Sequence, residues 1–131
     1  MSKARKLYDT RFFFEHYYSD DRRTLEKTRQ EIRLTKKKYL SAVTIHELYF
    51  LILEREGKDV AELRVNLLKK DFQITAVNIE IAKTAAVLRR KYRVPMADSL
   101  IAATAKQLNV TCITDDLHLT KIKEIKTAWI T

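Results

Sequence analysis

Glycine, proline and cysteine are almost missing from this chain, with one of each in 131 residues. So few breakers exclude a linker-rich, collagen-like or disordered chain and leave one dense in regular elements with short connections. The lone Cys112 has no partner for an internal disulfide. Set in Val110-Thr111-Cys112-Ile113, it reads as a small core residue, with no catalytic histidine near it in sequence to make it a nucleophile. No Gly-rich phosphate loop and no nucleophile motif occurs, which argues against a small-molecule enzyme built on either. His16, His46 and His118 show no metal-ligand spacing and read as structural or surface groups. No apolar run approaches the ~20 residues of a membrane span. The basic stretch Met1 to Lys6 is not followed by the apolar region of a secretory signal, so a cytoplasmic protein is expected.

Positive charge, by contrast, is plentiful. Lys and Arg number 26 against 17 Asp and Glu, a net charge of +9. That balance favours a polyanionic partner, and the bland alternative is a lysine-rich soluble surface. The 46% hydrophobic content suffices for one core, and residues 1–131 are expected to form one domain. Abundant Lys and Glu with little Gly is also in keeping with a heat-adapted source.

Taken in order, Lys6 to Asp9 reads as a strand ending in an acid, followed by a largely apolar helix over Thr10 to Tyr18. Asp21 to Lys38 predicts an exposed helix with a thin apolar stripe, its Lys36-Lys37-Lys38 a solvated end or a basic contact. Tyr39 to Val43 predicts a strand. Thr44-Ile45-His46-Glu47 then fits a capping box opening a helix with six successive apolar residues, Leu48 to Leu53. Such a helix needs burial in a core or an interface. Phe12-Phe13-Phe14 and Tyr49-Phe50-Leu51 are expected in the core, part of them in an interface for a second subunit or a protein partner. Gly57 is available as a left-handed cap. A helix over Val60 to Lys70, a strand over Phe72 to Val77, and a helix capped by Asn78 and running to Arg93 follow. Pro95 suits the start of a helix carrying Asp98 in its first turn. Val110 to Thr114 and Thr127 to Ile130 predict the last strands. Strands alternating with helices imply βαβ units and a mostly parallel sheet between two helical layers.

Four acids share one kind of position. Asp9 ends a strand, Glu47 and Asp98 open helices, and Asp115-Asp116 follows a strand, and the carboxyl edge of a parallel sheet is where ligands bind. Each has a bland reading: Glu47 as the capping-box carboxylate, Asp98 as a complement to its helix dipole, Asp115-Asp116 as a turn. Convergent carboxylates repel by about 4 kcal/mol per pair at 4 Å and an effective dielectric near 20. Mg²⁺ or Mn²⁺ removes that cost, polarises phosphoryl oxygens and lowers the pKa of a bound water. An acidic, metal-loaded pocket on a basic protein suits cleavage of a nucleic-acid backbone. Arg89-Arg90-Lys91-Arg93 is the best candidate for phosphate contacts, with a solvated helix end as the alternative.

Four motifs in order resemble the PIN-domain family and, within it, the VapC toxins of type II toxin–antitoxin pairs. Tyr8-Asp9-Thr10 is similar to the opening Asp-Thr/Ser motif. Ser41 to Leu48 is similar to the second motif, with Glu47 as its acid. Ala97-Asp98-Ser99-Leu100-Ile101-Ala102-Ala103-Thr104-Ala105 resembles the family's most specific stretch, and Ile113-Thr114-Asp115-Asp116 its closing Thr-x-Asp. The resemblance implies an α/β/α sandwich and a Mg²⁺- or Mn²⁺-dependent endoribonuclease, commonly a homodimer, inhibited by a VapB-type antitoxin. By position it makes Asp9, Glu47, Asp98 and Asp116 the catalytic, metal-binding centre, with Thr10 and Thr114 orienting carboxylates or waters. Three departures stand out. Arg11 occupies a place where a small polar residue is frequent, and could reach substrate or an acid. No glycine follows Glu47-Leu48. The paired Asp115-Asp116 gives two candidates for the last acid, of which Asp116 lies two residues past Thr114. An RNA-processing PIN nuclease without an antitoxin and a non-catalytic RNA-binding module are the rival expectations.

Overall fold

The computed structural model describes residues 4–130. The chain runs β1 (Arg5–Tyr8), α1 (Thr10–Tyr18), α2 (Arg22–Leu34), β2 (Lys37–Ser41), α3 (Ala42–Glu56), α4 (Lys58–Asp71), β3 (Gln73–Thr75), α5 (Ile79–Tyr92), α6 (Met96–Leu108), β4 (Thr111–Ile113), α7 (Leu117–Thr120) and β5 (Thr127–Ala128). The strands form one five-stranded sheet in the order β3-β2-β1-β4-β5. Every pairing is parallel, where a mostly parallel sheet was expected. With β1 central, the chain moves outward to β3 and then returns to β4 on the other side of β1. The switch in strand order therefore lies between β1 and β4, which opens a crevice at their carboxyl ends.

Strand alternation divides the core. Leu7, Tyr39 and Cys112 point to one face and pack with Ile81, Leu88, Ile101 and Ala102 of α5 and α6. Tyr8, Leu40 and Ile113 point to the other and pack with Phe12, Phe13, Leu48 and Leu68 of α1, α3 and α4. Successive side chains of a strand face opposite ways, so each strand serves both layers of this α/β/α sandwich. The small residues of α6 follow from its position: Ala102, Ala103 and Ala105 are buried and let the helix lie close against the sheet and α5.

Local chemistry moves several boundaries. The helix expected to reach Lys38 stops at Leu34, because Thr35 turns extended and its buried hydroxyl donates to the Glu31 carbonyl at 2.7 Å. Lys37 and Lys38 belong to β2, and Lys38 Nζ reaches back to the Ile32 carbonyl. The next helix starts at Ala42, earlier than the Thr44–Glu47 capping box predicts, because the Ser41 hydroxyl accepts the Val43 N–H at 3.0 Å. Thr44 is therefore an interior residue of α3, its buried Oγ1 without a partner among the described residues. Gly57 has φ 91° and ψ 177°, a positive φ outside the left-handed helical region, and joins α3 to α4. The predicted strands from Phe72, Val110 and Thr127 each shorten to two or three residues. α3 is not buried all round: Leu48 and Ile52 are covered, while Phe50 stays 61% exposed. Among the described residues no helix is long and apolar enough to cross a membrane.

Candidate metal centre

The crevice at the switch point holds a cavity of about 740 Å³. Asp9, Thr10 and Arg11 line it from the β1–α1 junction, Glu47 and His46 from α3, Asp98 from α6 and Asp116 from the β4–α7 junction, with Phe14, Phe50, Leu51 and Met96 as apolar walls. Four acids spread over 108 positions are thus brought to one opening by the parallel topology.

Asp9 sits in the N-cap position of α1 but makes no cap bond with its side chain. Its carboxylate instead accepts the buried Thr114 hydroxyl at 2.7 Å. Thr114 also accepts the Asp116 N–H at 3.0 Å, so one hydroxyl fixes two acids on neighbouring strand ends. Asp116 caps α7 by accepting the His118 N–H at 2.8 Å. Thr10 donates to Glu47, which makes Glu47 a partner of α1 and no capping-box carboxylate. Asp98 lies in the first turn of α6, after Pro95, with its side chain turned into the cavity.

Arg11 and Asp115 resolve one another. The guanidinium donates to both Asp115 oxygens at 2.9 and 3.1 Å, and to Glu15 at 3.4 Å. Asp115 is therefore paired beside the cavity, whereas Asp116 lines it. The basic cluster divides as well. Arg89, Arg90 and Arg93 line a second cavity of about 660 Å³ between α5 and α6, which shares Met96 and Leu100 with the first. Lys91 is tied at 2.8 Å to Glu124 and lies outside that groove. Arg93 ends α5 in the left-handed conformation, φ 57°.

The sequence reading passes over His118. Its Nδ1 lies 3.2 Å from Asp98 Oδ2 and 3.4 Å from Asp116 Oδ1. Asp98, Asp116 and His118 each offer a ligand atom, all within 4.8 Å of one another. No repeated histidine spacing signals it. The only local hint is Asp116-Leu117-His118, a capping acid two residues before a ring in a first helical turn.

Electrostatics show what the cavity lacks. Burial, with the Asp98 and Asp116 charges adding to it, pushes Asp9 up to about 6 despite the Thr114 hydroxyl. Burial and then Asp116 push Asp98 up to about 6, with His118 pulling the other way. Carboxylates crowded out of water, with no Lys or Arg paired to them among the described residues, are a good match for a divalent ion, which prefers such oxygen donors. The donor set fits Mg²⁺ or Mn²⁺.

A model of the PIN domain matches residues 6–125. The chain belongs to the PIN-domain family, a family of nucleases. No curated protein matches it. Among solved structures, it is similar to DNA-bound VapBC from Salmonella typhimurium, with a TM-score of 0.79 at 14% identity, covering 98% of this chain and 100% of that one. A toxin–antitoxin complex from Klebsiella pneumoniae gives a TM-score of 0.76 at 21% identity, covering 98% of each chain. VapC20 of Mycobacterium tuberculosis, a toxin that cleaves the sarcin–ricin loop, gives 0.70 at 15% identity, covering 92% of this chain and 98% of that one. At these identities the likeness establishes the fold.

Proposed function

We propose that this protein is a cytoplasmic, Mg²⁺- or Mn²⁺-dependent endoribonuclease, the toxin of a VapBC-type pair. One observation carries the reading: Asp9, Glu47, Asp98 and Asp116 meet at one cavity while, among the described residues, no Lys or Arg forms an ion pair with them. When bound, the ion would supply positive charge to the scissile phosphate and lower the pKa of a bound water, making hydroxide available as the nucleophile. Asp9, Asp98 and Asp116 hold the ion, and Glu47, steadied by Thr10, faces the same space to orient a water. Thr114 keeps two of the ligands in register. Arg89, Arg90 and Arg93, in the adjoining groove, hold RNA phosphates away from the centre. The neighbours' assembly with antitoxins supports a VapB-type partner that closes the cavity, and a homodimer is the assembly we expect.

The test is incubation of the purified, partner-free protein with mixed-sequence single-stranded RNA, tRNA and rRNA in Mg²⁺, Mn²⁺ or EDTA. We expect cleavage that needs metal and is lost in Asp98→Asn. Cleavage undiminished by EDTA or by that substitution would sink the proposal.

A further inference from the structure

Resting on the reading of the cavity as a divalent-metal centre, we infer that His118 is itself a ligand, so that one nitrogen joins Asp98 and Asp116 and Mn²⁺ is preferred over Mg²⁺. The geometry carries this. For an ion bound at about 2.1 Å in an octahedron, neighbouring ligand atoms lie about 3.0 Å apart. Nδ1 stands 3.2 Å from Asp98 Oδ2 and 3.4 Å from Asp116 Oδ1, close to that edge length on both sides. An ordinary surface pair would join the ring to one acid. Here the nitrogen sits between two acids from different elements, α6 and the β4–α7 junction.

The ring is also held for the task. Its own backbone N–H is anchored on Asp116 Oδ1, which fixes the first turn of α7 against the cavity rim. The side chain is 50% exposed, and an imidazole that carries its proton on Nε2 presents the Nδ1 lone pair as a metal ligand. Nδ1 is then the atom that exchanges a bridging hydrogen for the ion. Imidazole suits first-row transition ions, whereas Mg²⁺ keeps to oxygen ligands and water. A nitrogen donor therefore shifts the preference of an otherwise all-oxygen centre.

The experiment is Mn²⁺ titration of the full chain, read by electron paramagnetic resonance, with electron-spin-echo modulation reporting any bound nitrogen and Mg²⁺ as competitor. Wild type, His118→Ala, His46→Ala and Asp98→Asn are compared. We expect nitrogen modulation in wild type and in His46→Ala and its loss in His118→Ala. Mn²⁺ affinity of His118→Ala should fall at least about tenfold, with Mg²⁺ affinity changing by less than about threefold. Mn²⁺ bound by wild type without nitrogen modulation, or modulation surviving in His118→Ala, overturns the inference and leaves the metal centre standing. No Mn²⁺ binding by wild type overturns the metal centre and the inference together.

Discussion

Two carboxylate sites in this molecule leave water in opposite ways. Burial pushes Glu31 of α2 up, but Lys6 Nζ and the hydroxyls of Tyr8 and Thr35, each at 2.8 Å, outweigh it and leave its carboxyl below the ordinary value. Asp9 and Asp98 are also pushed up by burial, and there neighbouring acids add to the push, with His118 offsetting only part of it at Asp98, so both end at about 6. The cation closest in sequence, Arg11, is occupied by Asp115 and Glu15. One site is neutralised by the chain itself and stiffens the join between β1 and α2. The other is left short of positive charge, a cost to stability of the kind that clusters at functional sites.

The comparison breaks most visibly at the acids. Asp9→Asn and Asp98→Asn should each lower RNA cleavage by at least about a hundredfold, while the metal-free protein melts at the same temperature or higher. A calorimetric scan in EDTA beside a gel assay checks both; a large fall in melting temperature would mean that the acids serve the fold.

The pH dependence follows with a worked sign. The folded carboxyls of Asp9 and Asp98 take up protons near pH 6, the unfolded ones only near 3.8. Stability in EDTA is therefore reduced above pH 6 and recovered as the pH falls towards 4. Glu31 runs the other way: its contribution is present above 4.5 and is lost on acidification through its lowered folded value. Denaturant melts across this range should show the first trend flattened in an Asp9→Asn, Asp98→Asn double variant. Added Mn²⁺ should raise the midpoint at pH 7 and progressively less below pH 6.

Smaller effects sharpen the contrast. Glu31→Gln should cost about 1–3 kcal/mol of stability, because three donors lose a charged acceptor, and leave cleavage per folded molecule unchanged. Asp115→Asn should cost at most about 1 kcal/mol, as an exposed pair, and keep Mn²⁺ binding, whereas Asp116→Asn should lose it. Isothermal titration separates the two acids directly, and equal losses would contradict their division.

Much of this was readable from residue order. Short apolar runs mark β1, β2 and β4 and alternation marks β3, and of the acids at strand-to-helix junctions all but Asp115 share the cavity. Legibility stopped where the deciding contact is distant in sequence. Nothing near Glu47 shows that Thr10 is its partner, so a local capping box looked sufficient. Nothing near Asp115 shows that Arg11, 104 residues earlier, occupies it. His118 looked like a surface residue because Asp98 reaches it only through the packing of α6 on α7. The start of α3 differs for another reason: Ser41 is both the strand end that the sequence predicts and the helix cap, and β2 and α3 meet there without a loop.

The hydrogen bond from Thr114 to Asp9 spans 105 residues and joins the central strand to the half of the sheet that comes last in sequence. On a ribosome, Asp9 is made early and waits; its ligand geometry comes into being only once β4 has been synthesised and has paired with β1. Contacts this distant in sequence are intrinsically slow to form. The pairing of Asp9 with Asp116 is thus late in synthesis: a chain interrupted before Thr114 has neither the hydroxyl that joins the two acids nor the second acid.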